Sequence, residues 1–181
     1  MEFEPTEIRD VILIRPRVFG DPRGYFFESW QERKFADAGL DVKFVQDNHS
    51  HSERHVLRGL HYQSPQPQGK LVRVTNGSVF DVAVDIRRSS PTFGRWVGVV
   101  LSDQNHHMLW VPPGLAHGYL VLSETADFVY RCTDFYAPAH ERAILWNDPE
   151  IGVEWPLPAG VAPTLSAKDA VAPLFRDADL P

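Results

Sequence analysis

The 181-residue chain predicts an all-β fold, an antiparallel sandwich or barrel with a few short helices. Three observations carry that prediction. Short β-rich runs recur along most of the chain, Gly- and Pro-bearing breaks separate them, and the clearest run alternates with a period of two rather than 3.6. A chain of many such runs closes as a sandwich or barrel because each sheet has to bury one face. A hydrophobic content of 43%, with five tryptophans, supplies a substantial core for one domain over residues 1–181. No repeat, low-complexity tract or Gly/Ser-rich linker divides it.

Val11–Ile14 and Tyr25–Trp30 are the first strand-like runs, and Gln31–Ala38 reads as a helix that Gly39 stops. The stretch Val56-Leu57-Arg58-Gly59-Leu60-His61-Tyr62-Gln63 reads as sheet, as does Lys70–Thr75. Asn76-Gly77 follows, then Val79–Ile86; this dipeptide between two β-rich runs predicts a two-residue hairpin, because both central residues of a type I′ turn need positive φ. In Val79–Ile86, the residues Phe80, Val82, Val84 and Ile86 share one face while Asp81 and Asp85 share the other. Trp96–Leu101, Met108–Val111, Tyr119–Leu122, Phe128–Thr133 and Ala143–Trp146 complete the strand set. Tyr130 shares its face with Phe128 and Cys132, and Lys70 shares its face with Val72 and Val74, so both polar tips are expected to point inward. The proline-bearing tail after Trp155 reads as irregular, apart from a short turn near Ala167–Ala172.

A net charge of −6 argues against a nucleic-acid or anionic-membrane surface, though a local Arg/Lys cluster still suits a diphosphate. The single cysteine, Cys132, permits no internal disulfide, fits a reducing compartment and reads as a small buried residue. The opening Met1-Glu2-Phe3-Glu4-Pro5 is acidic where a signal peptide is basic, and no apolar run approaches bilayer length. The expectation is a soluble, cytoplasmic protein.

Arg58, His61 and Lys70 fall within thirteen positions of these sheet segments. Burying ionisable groups is costly unless they are paired or used. A neutral imidazole is a base near physiological pH, and fixed cations beside it suit an anionic substrate or an enolate. The competing reading is a histidine capping a strand and two charges reaching back to water.

A longer pattern surrounds this cluster. It runs through Gly20-Asp21-Pro22-Arg23-Gly24-Tyr25-Phe26-Phe27-Glu28, Phe44-Val45-Gln46-Asp47-Asn48, Val56–Gln63, Gln68–Val74 and Trp110-Val111-Pro112-Pro113-Gly114-Leu115-Ala116-His117-Gly118-Tyr119. It continues with Val121–Glu124, Tyr130–Tyr136, Trp146-Asn147-Asp148-Pro149 and Leu165-Ser166-Ala167-Lys168-Asp169. In these residues and their order the chain resembles the nucleotide-sugar 3,5-epimerases of the rhamnose pathway, over roughly residues 8 to 175. The resemblance implies a cupin-type jelly-roll barrel, usually dimeric, that works on a dTDP-sugar without metal or cofactor. By residue, it implies that His61 is the base, Asp169 its carboxylate partner, Tyr130 the acid on the opposite face and Lys70 the enolate-stabilising cation, with Arg58 in the same cluster. It further implies that Arg23 and Lys168 bind the diphosphate and that Glu28, Gln46, Asp47 and Asn48 lie around thymidine and ribose. The same resemblance implies that Tyr136 is the ring stacked on thymine and that His117 and Glu141 take substrate-binding positions.

A cupin-like barrel raises the question of a metal. His49-Ser50-His51 has the His-x-His spacing of one cupin metal motif, and Pro112–His117 matches the core of the other. Glu53 stands too close behind His51 to be the expected glutamate ligand, Lys43 replaces the expected glycine, and Gln63 follows His61 where a second histidine is needed. His49, His51, His55, His106, His107 and His140 therefore read as loop or surface residues. Departures from the family pattern are His55 where glycine is common, Arg131 where lysine is common and Ala143 where glycine is usual. Competing functions are a 3- or 5-epimerase acting at one centre, a non-catalytic sugar-nucleotide binding module and a metal-dependent cupin enzyme.

Overall fold

Thirteen strands and two short α-helices make up the computed structural model, which describes residues 1–181. In chain order they are β1 (Glu2–Pro5), β2 (Ile12–Arg15), β3 (Val18–Asp21), β4 (Gly24–Phe27), α1 (Glu32–Asp37), β5 (Gln46–Glu53), β6 (Leu57–Gln63) and β7 (Lys70–Asn76). There follow β8 (Ser78–Asp85), β9 (Trp96–Ser102), β10 (Met108–Val111), β11 (Leu115–Val121), β12 (Thr125–Cys132), β13 (Glu141–Ala143) and α2 (Ala167–Ala170). One sheet has the order β1-β2-β10-β7-β12-β5, and the second has the order β13-β6-β11-β8-β9. All paired neighbours are antiparallel, and the two sheets face each other as a cupin-type jelly roll. The hairpin β3–β4 belongs to neither sheet.

Side-chain alternation assigns each strand face to one of three cores. Between the sheets, Val72, Val74, Val79, Ala83, Leu115, Tyr119, Val121, Ala126 and Phe128 pack together. Outside the five-stranded sheet, Leu60, Tyr62, Val82, Val84 and Ile86 are covered by Ile144, Ile151, Phe175 and Ala178 of the chain that follows β13. Outside the six-stranded sheet, Ile14, Leu71, Met108 and Trp110 are covered by Phe35 of α1 and by the partly buried Leu40, Val42 and Phe44. The helix forms where expected: the Gln31 side chain accepts the Lys34 N–H at its start, Phe35 is its one buried residue, and Gly39 at φ 84° follows its end.

The Asn76-Gly77 hairpin is overturned. Gly77 does sit at φ 78°, but Asn76 is not at positive φ, and a type I′ turn needs both. The chain turns a corner between sheets instead, β7 in one and β8 in the other. The corner is closed from outside by Gly77 N–H donating to Asp103 and Ser78 N–H donating to Ser123. A side chain at position 77 would run into the Thr125 carbonyl, which makes this glycine obligatory.

Candidate active site

A cavity of about 450 Å³ opens between the sheets, with the C-terminal strap Thr164–Asp169 across it. His61 and His117 come from the five-stranded sheet, as direct cross-strand partners on β6 and β11. Lys70, Tyr130, Phe128 and Ser50 come from β7, β12 and β5 of the opposite sheet. The strap is seated by two backbone bonds, Thr164 N–H to the His55 carbonyl and Leu57 N–H to the Thr164 carbonyl. It ends in α2, whose Ser166 cap accepts the Asp169 N–H.

That seating delivers Asp169 to His61, with Nε2 of the ring 2.6 Å from the carboxylate. Burial would raise the Asp169 carboxyl, but hydrogen bonds from His61, Ser166 and the Gly59 N–H outweigh it and hold the group below its ordinary value. The carboxylate therefore fixes the ring, and Nδ1, with no protein partner, is the atom left for chemistry. Lys70 is half-buried in the cavity wall and makes no hydrogen bond or ion pair with protein. Burial pushes its ammonium pKa down, with partial compensation from Cys132, Asp81 and Glu141. Such a charge gains more than a solvated one when an anion arrives. Burial, with Cys132 and Tyr119 nearby, pushes the Tyr130 hydroxyl up to about 12 against the opposing pull of Arg58, so its proton stays on at neutral pH. An imidazole and a phenol thus line opposite walls of one cavity, with an ammonium on the phenol's sheet. This arrangement suits proton abstraction next to a carbonyl and return of a proton on the other face.

A family model described as dTDP-4-dehydrorhamnose 3,5-epimerase matches residues 5–177. The chain belongs to that family. It is 62% identical over 173 residues to the dTDP-4-dehydrorhamnose 3,5-epimerase of Pseudomonas aeruginosa, covering 95% of this chain and 94% of the relative. With the same-named enzyme of Salmonella typhimurium it shares 57% identity over 175 residues, 96% of this chain and 94% of the other. The crystal structure of dTDP-6-deoxy-D-glucose-3,5-epimerase from Legionella pneumophila in complex with dTDP-4-keto-L-rhamnose aligns with a TM-score of 0.93 at 51% identity, covering 97% of this chain and 93% of that one. The chain is accordingly an isomerase of the epimerase type.

Within this epimerase, the structure gathers His61, Lys70, Tyr130, Asp169, Arg58, His117, Glu141 and Lys168 around one cavity. Tyr136 joins them at the rim: its hydroxyl donates to Glu141, which also receives Lys168 at 2.8 Å and is held below the usual carboxylate range by that ammonium. Arg58 is aimed by Ser52, whose hydroxyl accepts from both Nε and Nη2. Five expected binding residues lie elsewhere in the single chain. Arg23 sits on the β3–β4 hairpin, solvent-exposed and paired with Asp21, and Glu28 pairs with Lys34. Asp47 points out of β5 toward Arg131, because alternation places odd-numbered residues of this strand on the outer face. Gln46 and Asn48 point inward but are occupied, Gln46 by the Tyr136 N–H and Asn48, Asn48 by the Cys132 thiol. His49 and His51 likewise face outward, each bonded to Asp127, so they cannot converge with His61 or His117.

Two residues escaped sequence reasoning. Asp81, fully buried on β8, has both carboxylate oxygens 3.0 Å from His117 Nε2. The signal was present as an aspartate inside an otherwise apolar strand. Gln63 bonds to Gln66, Phe135 and Ala137, bracing the loop that carries Tyr136. It was visible only as a departure from a cupin metal motif.

Proposed function

We propose that this cavity inverts C3 and C5 of dTDP-4-dehydro-6-deoxy-D-glucose, giving dTDP-4-dehydro-L-rhamnose. The observation that carries the reading is the placement of His61 and Tyr130 on opposite sheets, with Lys70 on the Tyr130 sheet and lining the same cavity. His61 Nδ1 takes the proton from a carbon flanking the C4 ketone. The C–H electron pair becomes the enolate double bond, and the carbonyl pair moves onto oxygen, which the Lys70 ammonium faces. The Tyr130 hydroxyl then protonates the carbon from the other face, leaving a phenolate that recovers a proton through solvent while His61 releases its own. Repetition at the second carbon completes the double inversion. Asp169 holds the ring in place and stabilises the imidazolium that forms.

The rim takes the nucleotide. Tyr136 offers its ring to thymine, and Lys168 and Arg58 face the diphosphate. Neither Arg23 nor Glu28 lines its own cavity, and the hairpin that carries Arg23 and runs into Glu28 presents Phe19 and Phe26 to solvent. We assign them to the cavity of a second copy in a homodimer, with Asp47 and Asn48 near the nucleoside. No helix is long and apolar enough to cross a membrane, in keeping with a soluble nucleotide-sugar substrate.

Proton NMR in D₂O with dTDP-4-dehydro-6-deoxy-D-glucose tests the reaction. Deuterium is expected at both C3 and C5; incorporation at one carbon only would make this a single-centre epimerase. His61→Ala should abolish both exchanges, and survival of exchange near the wild-type rate removes His61 as the base. Tyr130→Phe should lower net epimerisation roughly 10²–10⁴-fold while sparing proton abstraction. Equal loss of both would make Tyr130 a ring-positioning residue instead.

A further inference from the structure

The cavity holds two histidine–carboxylate pairs, and the proposed reaction uses only one carboxylate. His117 stands directly across from His61 in the β6–β11 pairing, and the same logic applies to each ring. A buried aspartate lies behind it and the cavity in front. Asp81 is 0% exposed, on a strand whose neighbours Val79, Val82, Ala83 and Val84 are equally buried. Its carboxylate bonds to His117 alone, both oxygens 3.0 Å from Nε2. An ionisable side chain so enclosed costs stability that an apolar residue of similar size avoids. A packing role therefore does not account for it.

Geometry also fixes what the ring presents. Because a carboxylate is an acceptor, Nε2 carries the hydrogen, whatever the state of the other nitrogen. His117 Nδ1 has no protein partner, yet it is absent from the sealed, unsatisfied atoms of the molecule, which are Trp30 Nε1 and His140 Nδ1. It is open to the cavity that His117 lines. The ring is steadied by Phe128, stacked at 6.1 Å between centroids. Asp81 also sends its field to the half-buried Lys70 ammonium on the facing sheet.

We propose that Asp81 is a positioning residue of this epimerase: by accepting Nε2–H it holds His117 in one tautomer and turns an unprotonated Nδ1 toward the sugar, as an acceptor for a hydroxyl of the hexose. The proposal rests on the epimerase reading given above. It divides the cavity wall into a working base, His61 with Asp169, and a fixed acceptor, His117 with Asp81. A carboxylate behind each ring prevents either imidazole from flipping between donor and acceptor while the substrate is bound.

Two readouts test it, the first independent of activity. Long-range ¹H–¹⁵N NMR of the wild-type imidazoles should show His117 protonated at Nε2 and bare at Nδ1; a proton on Nδ1 overturns the proposal. The second is kinetic, with Asp81→Asn as the near-isosteric variant. It should lower kcat roughly 10²-fold, the scale of a misplaced contact, and leave dTDP affinity within about twofold. In a His117→Gln background Asp81→Asn should cost nothing more, since the two act as one unit. Wild-type kcat in Asp81→Asn, or a penalty that adds in full to that of His117→Gln, overturns the proposal. Should Asp81→Asn not fold, the wild-type spectrum decides alone. A wild-type protein that epimerises nothing would instead sink the functional reading, with the spectrum still reporting on Asp81.

Discussion

His55 holds its backbone at φ 65°, a left-handed conformation that costs a residue with a Cβ about 1–3 kcal/mol. The position has no freedom to relax. Its N–H bonds to the Val121 carbonyl and its carbonyl takes the Thr164 N–H, so this one residue joins β11 to the strap that carries Asp169. Glycine adopts the same φ freely, at an entropic cost of about 0.5–1 kcal/mol. His55→Gly is therefore expected to raise stability by about 1 kcal/mol, and a lower thermal midpoint would show that the histidine ring makes a contact worth more than the strain. A few residues further along the same path, Asp169 titrates. Its folded-state pKa lies below the ordinary aspartate value of 3.8, so it contributes stability that is present above that value and is lost as pH falls through the lower, folded one. Denaturation curves of wild type and Asp169→Asn should thus lie furthest apart near neutral pH and converge below about pH 4. A gap that stays constant down to pH 2 would mean that the His61 bond is not coupled to folding.

The loop 133–137 depends on amides from three other elements. Gln63 donates to the Gln66 and Phe135 carbonyls and accepts from Ala137, Gln46 accepts from Tyr136, and Gln68 donates to the Asp134 carbonyl. Replacing Gln63 by leucine leaves those part-buried backbone groups without a protein partner, a cost of about 1 kcal/mol that falls on the Tyr136 loop. Binding of dTDP should weaken roughly tenfold, with the penalty vanishing when Tyr136 is already alanine. Unchanged affinity, or a full second loss in the Tyr136→Ala background, would assign Gln63 to folding alone. The same elements show what could be read beforehand. The faces of Lys70, Tyr130 and the helix at Phe35 followed from alternation and capping, because apolar neighbours marked them. Strand β5 did not, since its inward row is Gln46, Asn48, Ser50 and Ser52, and a polar row facing a cavity looks like a solvated edge. The Asn76-Gly77 corner misled for a related reason: local turn chemistry reports φ at Gly77 but not which sheet the next strand joins. Asp81 shares its face with Val79 and Ala83, so only the closed fold could show that this face meets His117.

At the scale of the whole molecule, the hairpin β3–β4 has two faces. Tyr25 and Phe27 rest against His106 of the same chain, at 4.6 and 4.9 Å between ring centroids. The cross-strand pair Phe19 and Phe26 remains 52% and 70% exposed on the other side. Aromatic surface presented in this way marks an interaction site, and a second copy of the chain is the occupant proposed above. If that copy receives the hairpin, Arg23 and the cavity it serves belong to different subunits, and the two functions can be separated genetically. Arg23→Ala and His61→Ala homodimers should both be nearly inactive. Mixing them under exchange makes heterodimers in which one cavity has wild-type His61 from its own chain and wild-type Arg23 from its neighbour. Epimerase activity should then recover to roughly a quarter of wild type at equal mixing, since half the dimers are mixed and one of their two sites is intact. No such cavity exists if Arg23 folds back onto its own subunit, because every site would then carry one lesion. A mixture that stays as inactive as its parents, with heterodimers verified by mass, would return Arg23 to its own chain and leave Phe19 and Phe26 without the second copy as their cover.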